Sequence, residues 1–301
     1  MIQKRMTRRW AGLSVAAVVS LTALMFASMA SAHTGQFARF NQCPSTTSGV
    51  VKCVQAVTSG GEVVLGKKTV PIVNPVTLQG GLGHGVENEA EETSYQPFYA
   101  ASNGETLSKT PQPVPGGLSG LVNCKEISLG WLRESCEAVF ENGLTGVNAT
   151  LELAKPASSI VVNEEHLAFE FGLAMQLPVK VHLENPLLGS TCYIGSSSSP
   201  LIWNLTTGKT TPPAGTTPIT GTSGHLEYIE ENRIAEFQNA KLVDNGWSAP
   251  GASGCGGWPA EYILDPIIEA SVGVPSAAGK NVAKLDKTRI SLALAEAVNK
   301  H

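Results

Sequence analysis

Between residues 167 and 183 every odd position is apolar (Leu167, Phe169, Phe171, Leu173, Met175, Leu177, Val179, Val181, Leu183). The even positions hold Ala168, Glu170, Gly172, Ala174, Gln176, Pro178, Lys180 and His182. A period of two sustained this long predicts β-structure with one buried and one wetter face, because successive strand side chains point to opposite sides. Pro178 has no N–H to give to a ladder, so it is expected to divide the run at an edge or a bulge. Shorter patterns agree. Residues 62–65 and 69–73 flank Gly66-Lys67-Lys68 as a hairpin, and 149–153, 159–162, 201–205, 225–229 and 289–294 read as further strands. Two helices are expected. One covers 130–142, with Trp131, Leu132, Cys136, Val139 and Phe140 at helical spacing. The other is opened by Asp265 as N-cap with Pro266 as its first residue. The fold class is therefore mainly β, sandwich-like or paired β-domains, with a few short helices.

Three turn-rich stretches interrupt these elements: 109–117, 195–200 and 206–224. The first marks a boundary between an N-terminal β-rich region, 33–120, and a C-terminal one, 121–301. The last reads as a linker or a long surface loop.

Residues 1–32 stand apart. Lys4, Arg5, Arg8 and Arg9 precede an apolar run from Ala11 to Ala27, and Ala30-Ser31-Ala32 supplies small residues for cleavage. This is the pattern of a secretory signal peptide. The run is short for a bilayer span of roughly 20 residues, and no later segment is long and apolar enough to be one. The expectation is a protein secreted or held at the cell envelope, with no transmembrane segment after cleavage. Removing the four cations takes the formal charge from −4 to −8. A chain this acidic, with no Lys/Arg cluster, lacks the electrostatic footprint of a nucleic-acid binder.

Six cysteines follow the signal: Cys43, Cys53, Cys124, Cys136, Cys192 and Cys255. An even count in an exported chain reads as disulfides, though six cysteines allow fifteen pairings. The simplest joins neighbours, 43–53, 124–136 and 192–255. No C-x-x-C occurs and no cysteine lies close to a histidine in sequence, which argues against zinc.

The run from Leu177 to Ser196 (LPVKVHLENPLLGSTCYIGS), followed by Asn204-Leu-Thr-Thr-Gly208, resembles an uncharacterised family of secreted proteins of high-GC Gram-positive bacteria. Phe40–Pro44, Thr69–Ile72, Thr77–Gly81 and Leu264–Ile267 are similar to further pieces of its pattern. The resemblance implies an exported, β-rich, disulfide-bonded protein, and brings no activity and no catalytic residue with it.

Candidate chemistry is sparse. Cleavage after Ala32 would leave His33 presenting an α-amine and an imidazole together, a chelate suited to copper(II), with His84, His166, His182 or His225 as a second ligand. Glu87, Glu89, Glu91 and Glu92 could gather a cation, but beside Gly80-Gly81-Leu82-Gly83-His84-Gly85 they read more simply as a solvated loop. Those glycines lack a P-loop lysine, and no G-x-S-x-G elbow or S-x-x-K follows the signal. His225 with Glu227, and Glu164-Glu165 with His166, place acid and imidazole close in sequence, as ordinary surfaces also do. Twenty-two glutamates offer no unique pair for glycoside hydrolysis. Trp247 and Trp258 bracket Cys255 in a Gly-rich loop. They would make a sugar-stacking platform if exposed, and packing on the disulfide and core is the expectation. No cofactor is called for. The functional expectation is a non-catalytic binding or structural module for a cell-surface glycan or protein, with a copper-dependent oxidative enzyme using His33 or an extracellular hydrolase as alternatives.

Overall fold

The computed structural model describes residues 33–88, 93–117, 128–131, 133–134 and 146–301, and His33–His301 forms one compact unit. It is mainly β, as the alternation predicts. Its strands are β1 (Lys52–Leu65), β2 (Lys68–Pro71), β3 (Val76–Leu82), β4 (Val86–Asn88), β5 (Thr93–Ala100), β6 (Gln112–Pro113), β7 (Asn148–Leu153) and β8 (Val161–Val162). After these come β9 (Met175–Glu184), β10 (Tyr193–Ile194), β11 (Leu201–Leu205), β12 (His225–Ile229), β13 (Ile234–Asp244), β14 (Ala252–Ser253) and β15 (Val282–Leu294). The named α-helices are short: α1 (Glu164–Phe169), α2 (Glu261–Val272) and α3 (Ala295–Val298).

All strand pairs are antiparallel. β1 pairs with β15 from Lys52↔Leu294 to Val64↔Val282, and on its other edge with β3 and, through the expected hairpin, β2. The hydrogen-bonded path then runs β12–β13–β15–β1–β3–β5–β8–β9. Strands on either side of residue 120 therefore interleave, β1 with β15 and β5 with β8. Across β9, Val179 pairs with both Leu153 of β7 and Leu201 of β11, so those two strands flank it on opposite sides. Beyond the end of β11, Thr206 and Val243 exchange both backbone hydrogen bonds, at 3.0 and 2.9 Å. The path thus returns to β13 and closes a circuit.

The inner surface of that circuit is the core. Leu177, Val179, Val181 and Leu183, the odd positions of β9, are buried together with Val54, Leu78, Leu285 and Leu292 of the facing strands. Each such side chain contributes about 2 kcal/mol on leaving water. A smaller cluster pins the start of the unit to the outside of the sheet. Phe37 and Phe40 of a 3₁₀ turn, Gly35–Phe40, pack on Ile234, Ala295 and Val298 beside the Cys43–Cys53 disulfide. Next to it Arg39 pairs with the buried Glu236, and the Ser291 hydroxyl donates to the same carboxylate at 3.0 Å.

Three expectations change, and one alternative is decided. The alternation fails between 167 and 173: Asn163 accepts the His166 N–H at 2.9 Å as an N-cap, and Glu164 and Glu165 suit the positive end of a helix. α1 forms there, and Phe169 and Phe171 emerge 72% and 47% exposed instead of buried. Pro178 does not divide β9. Its carbonyl accepts from Ala154 at 3.0 Å, and its missing N–H falls where β7 gives way to β8. α2 starts at Glu261, which places Asp265 in its second turn and Pro266 inside it. The 206–224 stretch is a long surface loop and not a linker: most of 211–220 is exposed, while Thr206, Thr207 and Thr210 are buried and bridges join Lys209 to Thr220 and Thr222 to Lys241. Of the expected helix at 130–142, residues 130–131 and 133–134 are helical. Its remainder, and with it Cys136, lies outside the described residues, as does Cys124.

Candidate functional site

The second disulfide described, Cys192–Cys255, ties the chain just before β10 to the Gly-rich loop leading into α2, and both cysteines are fully buried. Several bonds fix that loop independently. The Asp265 carboxylate accepts from Gly254 N–H at 3.1 Å and Cys255 N–H at 2.8 Å, the Thr191 hydroxyl donates to the Gly254 carbonyl, and Gly256 N–H donates to the Leu188 carbonyl at 2.7 Å. Gly254 has φ +72°, and a Cβ there would sit 2.4 Å from the Thr191 carbonyl, so no other residue fits. This frame carries Trp258, 79% exposed, with Tyr262, 72%, and Ile263, 49%, on the first turn of α2. The two tryptophans of the loop part company: Trp247 is buried, its ring 5.8 Å from that of Trp203, and only Trp258 faces solvent. An apolar cluster held in water by so many bonds is the mark of a contact surface.

Beside Gly189, where a Cβ would come within about 4 Å of Gly256, an open groove of about 480 Å³ is lined by Asn148, His182, Glu184, Asn185 and Ser190 among others. Its polar wall follows from the period of β9. With the odd positions inward, Lys180, His182 and Glu184 project outward, where Glu152, Thr150 and Asn148 of β7 stand directly opposite them. Lys180 Nζ lies 3.2 Å from Glu152 and 3.9 Å above the Tyr193 ring. The His182 ring stacks on Tyr193 at 4.4 Å, with Nδ1 3.7 Å from both Glu152 and Glu184, and the Thr150 hydroxyl donates to Glu184 at 2.8 Å. Lys180 and Glu152 face each other as opposite charges, and the wall offers further hydrogen-bonding groups. It can grip a polar ligand whose other face is apolar.

The remaining candidates are scattered. His33 donates its backbone N–H to Asn41 Oδ1 at 2.7 Å. His84 and His225 are exposed, while His166 is buried with Nδ1 3.0 Å from the Leu173 carbonyl. Glu227 accepts from Gln238, Glu164 pairs with Lys52, and Glu165 points to solvent. Among the described residues no three His, Cys, Asp or Glu side chains are placed to hold a metal ion. Glu87 is exposed, and Glu89, Glu91 and Glu92 lie outside the described residues. Gly80 and Gly81 serve packing: Cβ atoms there would lie 2.3 Å from the Tyr99 carbonyl and 2.8 Å from Val50. Tyr262, Ile263, Glu152, Glu184 and Tyr193 have no motif to announce them, though the period of β9 groups Lys180, His182 and Glu184 on one face.

Comparison with protein-family models, with curated proteins and with solved structures gives no match.

Proposed function

We propose that this is an exported binding protein of the secreted Gram-positive kind that residues 177–208 resemble, and that it recognises a cell-surface glycan without turning it over. The observation that carries the reading is Trp258, almost fully exposed on a loop fixed by a buried disulfide. A sugar ring has an apolar C–H face and a polar rim. The first suits the Trp258 and Tyr262 rings, and the second suits the Asn148, Glu184 and Ser190 side chains of the adjoining groove. The leader-like residues 1–32 and the two disulfides support an extracellular setting. No helix among the described residues is long and apolar enough to cross a membrane.

Co-sedimentation of the purified protein with insoluble peptidoglycan, chitin and cellulose tests this. Wild type should be retained by at least one of them. Trp258→Ala with Tyr262→Ala should lose at least tenfold in retention while the melting temperature stays within about 2 °C, since exposed side chains carry little folding energy. Retention by none of the three, or equal retention of the double variant, would overturn the assignment.

A further inference from the structure

Two carboxylates stand on the outward face of β7 and β9 at the groove, and only one of them is answered by cations. Lys180 Nζ lies 3.2 Å from Glu152, and Lys109 Nζ 3.9 Å from it. Among the described residues no lysine or arginine nitrogen comes within 4.0 Å of Glu184. One of its oxygens accepts from the Thr150 hydroxyl at 2.8 Å. The other lies 3.7 Å from His182 Nδ1, a ring nitrogen that stands equally far from Glu152. The Glu184 side chain is 40% exposed and lines the groove, so it meets what enters there.

Two neutral acceptors stand with it. Asn148 pairs directly with Glu184 across β7 and β9, which sets their Cβ atoms about 5 Å apart on one face. On the other side the Asn185–Gly189 bridge turns the chain back, so that Ser190 returns alongside Glu184. Asn148 and Ser190 are exposed, and neither side chain is committed to a hydrogen bond among the described residues. A carboxylate, an amide oxygen and a hydroxyl thus form one row across three segments of chain. Residues 33–301 carry a formal charge of −8, which draws cations towards this row from a distance.

We infer that the row is an ammonium site, and that the glycan recognised here carries free, unacetylated 2-amino groups. The inference rests on the glycan reading above and names the sugar class that the groove selects. An ammonium brings three N–H donors and one positive charge, matching three acceptors of which one is charged. An N-acetyl group offers a single N–H, adds a carbonyl oxygen that the Glu184 carboxylate repels, and carries no charge. A hydroxyl likewise donates one hydrogen and leaves the carboxylate charge unanswered.

Calorimetric titration with two β-1,4-linked tetrasaccharides, one of glucosamine and one of N-acetylglucosamine, tests this. At about pH 7, where carboxylates are ionised and much of the amine is protonated, wild type should bind the amino form at least tenfold more tightly. The preference should vanish at about pH 9, where the amine is largely neutral. It should vanish also in Glu184→Gln, which keeps an oxygen for Thr150 but not the charge. Asn148→Lys, which sets a tethered ammonium opposite Glu184, should abolish it too and serves if the first variant does not fold. Equal binding of both tetrasaccharides, lost in Trp258→Ala with Tyr262→Ala, would overturn the ammonium site and leave the glycan reading standing. Binding of neither would also overturn it, and sedimentation with insoluble glycans then decides the glycan reading by itself. An undiminished preference in a folded variant would overturn it as well. So would equal affinity for a lysine-containing tetrapeptide, which would make this a site for peptide amines.

Discussion

Glu170 gathers three donors on one carboxylate oxygen: the Ser223 N–H at 2.7 Å, the Thr222 hydroxyl at 2.8 Å and the Ser223 hydroxyl at 2.9 Å. These bonds, the backbone one foremost, hold its pKa below the usual glutamate value of 4.5. The native state therefore favours the ionised form. The stabilisation is complete above pH 4.5 and is lost as pH falls through the lower native value. The side chain is solvent-exposed, which limits the effect to less than about 1 kcal/mol. Melting curves of wild type and Glu170→Gln should thus differ at pH 7 and converge towards pH 3. A constant gap between them would mean that the carboxylate charge plays no part. Asp244 behaves oppositely. Burial pushes its carboxyl above the ordinary aspartate value, against the pull of the Gly246 and Asn204 N–H groups, so its ionisation costs stability as pH rises past that ordinary value.

Among the elements, the β12–β13 hairpin turns through Glu230, Glu231 and Asn232 with φ of 52°, 56° and 66°. Left-handed backbone costs a side-chain-bearing residue about 1 kcal/mol or more, asparagine less. Glu230→Gly should relieve part of that cost and raise the melting temperature by about 2 °C in a thermal scan. A fall would show that the added freedom of the unfolded chain outweighs the relief. The same contest between local and distant terms explains which elements were legible in the sequence. β9 could be read from its alternation because burial of the odd positions decides it, and that reading already placed Lys180, His182 and Glu184 on the outer wall. α1 could not, since the Asn163 cap competes with a period-two pattern that continues through it. β1 is legible from Glu62 only, because Gly60 and Gly61 look like a break. In the fold Gly61 has φ +106°, and a Cβ there would lie 2.0 Å from the Lys284 carbonyl, so the glycine lets β1 run on against β15. The exposure of Trp258 had no local signal. It depends on the Asp265 carboxylate closing the Gly254–Cys255 loop from a helix that begins five residues earlier than its sequence suggests.

At the scale of the whole molecule, the pairings that make up the circuit are unequal. β1 and β15 are matched over more than ten residue pairs, whereas β11 meets β13 through the Thr206–Val243 exchange and one bond from Asn204 N–H to the Asp244 carboxylate at 2.7 Å. A closed sheet with a short joint here, as also at β8, which meets β5 and β9 over two residue pairs each, is a band with a clasp. Undoing the clasp breaks these three hydrogen bonds and neighbouring ones such as Gly221–Gly208 and Thr210–Asn245, and leaves every long ladder in place, so the molecule can loosen without unfolding. Hydrogen exchange should find the Thr206 and Val243 amides at least tenfold less protected than those of Val54 and Leu292, and Asp244→Ala should widen the difference. Equal protection would mean that the band opens only when the whole sheet does. A clasp that opens first also gives the sheet two free edges for as long as it stays open, and those edges are where one copy of the chain could catch on another.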